Sequence, residues 1–293
     1  MKPLQHAVAF LEINVKQLKL FVLVWGVMSS LAFAGTLGDI SSASGNQTGL
    51  FIGLGSSYNF VRLNSNLLGT LNVTGGLPPL GIFAGSRESF HNRAQDFSLD
   101  AQAGYFKHFS ASEWLWGLEF LYQYTNLKIR APSFVRAIDV SDPAVSTTDT
   151  ISFSAIDAKV NDTLMLPAFI GRSYKNSFIY VGVGPSLFNT QQKIAEMNDT
   201  ESAYYIGTVD GISKSKWIWG GAVQAGMAYY VNAAWFFKLN YTCAFTGNYA
   251  LNKTVSFSPE MNQGFNSGTL SVHSRQSLVS QAVALSINKV FAL

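Results

Sequence analysis

Charge is scarce in this chain. Charged residues occupy 13% of its 293 positions while apolar residues keep a share of 48%, and soluble domains usually carry about 25% charge. Gly, Ser, Thr, Asn and aromatic residues fill the deficit, so the chain is not simply enriched in Leu and Ile. Neither sign dominates. Its 20 basic and 17 acidic residues give +3, too little for a nucleic-acid or polyanion footprint. Cysteine is nearly absent: Cys243 stands alone, permits no internal disulfide and reads as a small hydrophobe. The four His residues have no metal-ligand spacing. His6 lies near the start, His91 and His273 read as loop residues, and His108 reads as facing inward near one rim. No cofactor is expected either. "GLGSS" (53–57) and "GVGPS" (182–186) have the glycines of a phosphate loop without its Lys. Finally, after the first 34 residues no apolar run approaches the ~18 residues of a membrane-spanning helix.

What is present begins with an export signal. Lys16 and Lys19 precede "LFVLVWGVMSSLAFA", which closes on Ala32-Phe33-Ala34, the small-x-small pattern of signal-peptidase cleavage. Residues 1–34 therefore read as a signal peptide, and the polar stretch 35–48 as a short periplasmic tail. Removing Lys2, Lys16, Lys19 and Glu12 leaves 17 − 16 = +1.

The remainder alternates. In "WLWGLEFLYQY", Trp114, Trp116, Leu118, Phe120, Tyr122 and Tyr124 share one face, opposite Gly117, Glu119 and Gln123. The same period of two recurs in 216–231, in 235–248 and in the last segment, 277–293, and it marks strands with a bulky face and a small, polar one. Eight strands are predicted, at 50–61, 97–109, 114–127, 162–174, 177–190, 216–231, 235–248 and 277–293. "SASE", "KN" and "NAA" join three pairs of them, and segments of roughly twenty to thirty-five residues join the rest, far beyond the usual ~2–5 of a hairpin. Short turns thus gather at one end and long loops at the other. Pairing through the short turns sets Phe106 opposite Gly117, Gly104 opposite Glu119, Gly171 opposite Tyr180 and Phe169 opposite Gly182. Large meets small, as a narrow interior demands.

Period two does not say which face is inside. A soluble lipid-carrying barrel would turn the bulky face inward, but a small polar exterior with so few charges would solubilise it poorly. Trp114, Trp116, Trp217, Trp219 and Trp235 all lie at strand ends, the pattern of interfacial aromatic girdles. The bulky face is therefore assigned to lipid.

On these residues the chain resembles the eight-stranded outer-membrane barrels of Gram-negative bacteria, the OmpA/OmpX type, over 49–293. The resemblance implies an all-β, eight-stranded, antiparallel up-and-down transmembrane β-barrel with short periplasmic turns and four long extracellular loops, located in the cell outer membrane. It implies that Val283, Leu285, Ile287, Phe291 and Leu293 form a C-terminal signal read by the barrel-assembly machinery; Lys289 interrupts that face near the rim, where its ammonium can reach water. The partners it implies are outer-membrane lipid and lipopolysaccharide, with a host or cell-surface ligand at the loops and no nucleic acid.

Two sites are expected. Eight strands leave an interior that side chains just fill, so Asp100, Gln102, Glu119, Gln123, Gln224, Lys238 and Asn240 should form a closed polar network, with Glu119 and Lys238 paired across the lumen because an unpaired charge there is costly. The second is loop one, 62–96. Its middle carries no charge from Leu67 to Phe83, and Leu68, Leu71, Leu77, Leu80, Ile82 and Phe83 either bury one another over the barrel mouth or form an exposed contact site. The function expected is surface binding, adhesion or membrane maintenance without enzymatic activity. The alternatives are a narrow pore, or a lipid A-modifying enzyme using His273, Ser274 and Ser277.

Overall fold

The computed structural model describes residues 48–76, 80–139, 148–194, 197–199, 212–262 and 265–293. The signal-peptide and tail assignments to 1–34 and 35–48, except Thr48, lie outside them. The described chain is a single antiparallel sheet of eleven strands: β1 (Gly49–Gly75), β2 (Gly81–His108), β3 (Trp114–Asp139), β4 (Thr148–Met165), β5 (Ala168–Tyr174), β6 (Ser177–Ile194), β7 (Met197–Asp199), β8 (Ile212–Asn232), β9 (Trp235–Thr246), β10 (Tyr249–Phe257) and β11 (Ser267–Ala292), with one helical turn α1 (Pro259–Asn262). No helix among the described residues is long and apolar enough to cross a membrane.

Eight strands close a ring. The order β2-β1-β11-β9-β8-β6-β5-β3 returns to its start through β2–β3 pairing, which leaves no open edge at this level. The short turns are where the sequence puts them, and the expected registers hold: Phe106↔Gly117, Gly104↔Glu119, Gly171↔Tyr180 and Phe169↔Gly182. Asn232 organises the β8–β9 turn, its Oδ1 accepting the N–H groups of Ala234 (2.9 Å) and Trp235 (3.0 Å). Large-to-small pairing is enforced by contact. A Cβ on Gly104 would meet the Phe51 ring at 2.5 Å, and one on Gly226 would meet Tyr180 Cζ at 2.6 Å.

Predicted strand four is broken. Between Met165 and Ala168 the chain passes Leu166-Pro167, because proline has no N–H to give the ladder. The Pro167 carbonyl still accepts Glu119 N–H at 3.0 Å, and the Pro185 carbonyl accepts Leu166 N–H at 3.0 Å. Strand seven breaks likewise after Thr246, and β10 continues it on β11 alone.

The larger correction concerns the long loops. Residues 62–75 and 81–96 are strand, not loop, and β1 and β2 stay paired as far as Val73↔Gly81. The period of two simply continues: Val61, Leu63, Leu71 and Val73 are buried while Asn64 and Asn66 face the other way, so the hairpin satisfies its backbone and buries one face together. His91 and His273 accordingly lie on β2 and β11, not in loops.

Beyond the ring the sheet splits in two. β2 and β3 pair up to Leu99↔Tyr124 and then not again until Ala84↔Ile138. On the far side, β8 and β9 pair up to Gly220↔Thr246, and β10 leaves β8 to follow β11. Two blades result, β10-β11-β1-β2 and β3-β4-β6-β8, separated by two seams.

Candidate functional site

The faces of the ring are inverted relative to a water-soluble domain. Leu50, Ile52, Leu54, Phe97, Leu99, Leu118, Phe120, Val181, Val183 and Leu285 are exposed on the outside, Leu54 at 69% and Phe97 at 71%, whereas Glu119, Lys238, Gln224 and Asn240 are buried inside. Aromatic residues bound this apolar exterior. Trp114, Trp116 and Trp235 stand outward at the short-turn end, and Trp217 and Trp219 at the other. From Trp219 to Tyr229 along β8 is eleven residues, against the ~9–11 that a tilted strand needs to cross a bilayer.

The interior is layered. At the short-turn end Phe51, Phe106, Leu115, Phe169, Phe178, Tyr180 and Phe236 form an apolar floor, with Phe51 and Phe236 edge-on at 5.5 Å. Above it lies the polar layer. Lys238 on β9 is in ion-pair contact with Glu119 on β3, their side chains 4% and 0% exposed. These strands are four steps apart in a ring of eight, so the pair bridges the lumen. Lys238 Nζ also donates to Gln102 Oε1 (3.2 Å) and sits 5.3 Å from the Tyr180 ring centroid. Gln224 donates to Glu119 Oε2 (3.1 Å), Asn240 donates to Gln224 (3.1 Å), and Tyr180 OH donates to Asn240 Oδ1 (3.0 Å). Gln102 in turn donates to Ser286 Oγ (2.7 Å) and to Asn288.

Asp100 and Gln123 join a separate group around Ser57, which donates to Asp100 Oδ1 (2.9 Å) and accepts from Gln123 (3.2 Å) and Asn59 (3.0 Å). The structure thus brings five of the seven expected residues into one network and places two in a neighbouring one. Ser57, Asn59, Ser98 (which accepts from Asn59 at 2.8 Å), Ser286 and Asn288 were not singled out from the sequence, and Tyr180 was expected inside without a polar role. Their signal was strand parity: each occupies an inward position, but small hydroxyls and amides there look like filler. A second apolar layer, including Val61, Leu63, Leu127, Ile129, Val160, Met165, Phe188 and Leu278, lies above the polar one.

Of the loop-one set, Leu71 and Phe83 face each other in register and are buried, Leu68, Leu80 and Ile82 are exposed, and Leu77 lies outside the described residues. The set is divided between two faces and is not one surface. The same alternation divides the hydrolytic candidates: Ser274 is buried against Ser65 (3.1 Å), while His273 and Ser277 point outward. His108 is buried, with Nε2 2.7 Å from Ser173 Oγ. Leu285, Ile287, Phe291 and Leu293 are exposed outside, and Val283 shares their face half-buried. Lys289, among them, lies 5.8 Å from the Trp235 and 5.4 Å from the Phe291 ring centroids. No group of three His, Cys, Asp or Glu side chains that could hold a metal occurs among the described residues.

No protein-family model matches the chain. No match to a curated protein was found. Among solved structures the chain is similar to Neisserial surface protein A (12% identity, 79% of this chain and 97% of that one, TM-score 0.31). It is also similar to the outer membrane protease OmpT from Escherichia coli (7%, 83% and 97%, TM-score 0.40) and to the outer membrane protein OprG from Pseudomonas aeruginosa (13%, 84% and 98%, TM-score 0.39).

Proposed function

We propose that the chain is an eight-stranded outer-membrane β-barrel of the OmpA/OmpX kind, sealed inside, that acts without enzymatic chemistry through the two blades it raises above the outer leaflet. The observation that carries this reading is the inversion of faces: bare leucine, valine and phenylalanine outside, a buried Glu119–Lys238 pair inside. In water the exposed apolar band would drive association; in a bilayer it is the solvated surface. The short turns then face the periplasm and the blades face the exterior. The polar layer between two apolar ones leaves no place for a steady water column, so the protein is a surface binder or a structural element of the membrane and not a pore.

Two measurements test this. Protein refolded into planar bilayers should pass no steady current. On intact cells, external protease should reach a site inserted between residues 76 and 80 and leave one inserted at 233–234 uncut. A large conductance defeats the sealed interior, and cleavage at 233–234 defeats the orientation. For the binding role, residues 65–90 are replaced by a two-residue Asn-Gly turn joining Asn64 to His91, which are in register. The barrel should still fold, and attachment of cells to a host or partner surface should be lost; unchanged attachment removes this blade as the binding element.

A further inference from the structure

The seam between β2 and β3 carries a feature that neither folding nor a sealed lumen requires. On the outer face of one blade Arg62 and Arg93 are direct cross-strand partners. On the facing blade Lys128 and Lys159 are direct cross-strand partners. Opposite residues of an antiparallel pair have Cβ atoms about 4.5–5.5 Å apart, and like charges placed so are destabilising. None of the four is in an ion pair among the described residues, and Arg62 Nε is buried without a hydrogen-bond partner. The nearby acids are engaged elsewhere or displaced. Asp162 accepts from Tyr122 OH (2.8 Å) and Asn189 (3.0 Å), Asp96 caps the Phe97 N–H (2.8 Å), and Asp157 lies in register with Arg130 on one side and Lys193 on the other. Two repulsive pairs flanking one seam each cost a little stability on their own, and an anion held between them would remove that cost.

Their height says which anion. Arg62 is two residues beyond Phe60, which meets Tyr58 edge-on at 4.8 Å between ring centroids, and Tyr58 meets Phe97 at a tilt, also at 4.8 Å. The base of the seam is the Leu99↔Tyr124 pair, with Leu99 70% exposed. The cations therefore sit immediately above the aromatic edge of the apolar band, where headgroups lie, with bare acyl-binding surface below them.

We infer that the β2–β3 seam binds the phosphorylated headgroup of an outer-leaflet glycolipid, with Arg62, Arg93, Lys128 and Lys159 on its phosphates and Phe97, Leu99 and Tyr124 against its acyl chains. Guanidinium pairs suit phosphate because their donors are forked and remain charged. The inference rests on the outer-membrane reading and deepens it by assigning the lipid a place.

The test uses the full mature chain refolded in zwitterionic detergent and titrated with diphosphorylated lipid A, with the same lipid dephosphorylated, and with inorganic phosphate, binding being read by native mass spectrometry. Wild type should hold the diphosphorylated lipid. R62Q/R93Q/K128Q/K159Q should bind it at least tenfold more weakly while keeping the heat-modifiable gel mobility of a folded barrel. K214Q/K216Q/K253Q, which removes cations from the other seam, should bind as wild type does. If the quadruple variant does not fold, R93Q and K159Q singly should each weaken binding severalfold. Equal loss in the control variant, equal binding of dephosphorylated lipid, or displacement by inorganic phosphate overturns the proposal, the last pointing to a soluble anion. Failure of wild type to float with lipid vesicles overturns the membrane reading itself; flotation without lipid discrimination overturns only the seam.

Discussion

The ring and the blades are built from the same strands and are held together differently. In the ring every strand has two neighbours, so each residue is fixed by a ladder on both sides and by a filled interior. In the blades β2, β3, β8 and β10 each lose one ladder over most of their length, and what remains is two four-stranded sheets joined across their edges at a few points: Ala84↔Ile138 on one side and Lys214 Nζ to the Asn252 carbonyl (3.0 Å) on the other. The difference shows where variation is affordable. A change at ring level must fit the opposite wall, and so must one at the root of the blades, where Val61, Leu63 and Leu278 share a core with Leu127, Ile129 and Val160; farther out a blade depends chiefly on its own alternation and its neighbours on one sheet.

The ring is most vulnerable at the lumen. Glu119→Gln leaves Lys238 charged and buried, and breaking such a pair costs about 3–5 kcal/mol. Urea unfolding in lipid vesicles should show that loss, and adding Lys238→Met should recover much of it; no change in the single variant would mean the pair is unimportant to the ring. Next in size is overpacking. Gly226→Val would drive a branched side chain into Tyr180, with an expected cost of about 1–3 kcal/mol in the same assay.

A matched pair of truncations sharpens the contrast. Leu115 and Leu71 are both fully buried, one in the floor of the ring and one in a blade. Leu115→Ala should cost about 2–5 kcal/mol of global stability, whereas Leu71→Ala should chiefly speed amide exchange along 66–75 and 81–86, because blades can open without the ring. Equal effects on global unfolding would show that ring and blades are one cooperative unit. Smallest is the exposed Arg172–Glu113 pair at the short-turn rim (2.8 Å). Such pairs contribute little in water, and Arg172→Ala should leave the denaturation midpoint unmoved.

These two regions were also unequally legible. In the ring, bulky residues alternate with Gly, Ala and Ser under short turns, so "KN" alone determined which residues meet from Phe169 to Gly182. Glu119 and Lys238 stood out because they lie at similar heights above the short turns on roughly opposite walls, where an unpaired charge is costly. Above the ring the signal weakens. Asn64 and Asn66 between Leu63 and Leu71, with Gly69, Gly75 and Gly76 nearby, have the composition of a loop although they keep the parity of a strand. Composition therefore suggested loops where pairing makes hairpins. The seams were not legible at all, since the loss of a β2–β3 ladder depends on where two strands diverge in space and not on either strand's residues. Pro167 was visible in the sequence but outweighed by the alternation around it.

The partner of β1 on its other side is β11, in unbroken register from Gly49↔Ala292 to Val73↔Gly268. Every one of these pairs joins residues that are remote along the chain, and the loop that must be closed grows toward the short-turn end. Ring closure thus carries the largest chain-entropy cost of any step and is not rewarded until the other strands have lined up between its ends. Assembly should be slow, with closure last, and an intermediate should persist whose two free edges are β1 and β11. That intermediate, and not the finished ring, is the species that needs protection from pairing with a second chain.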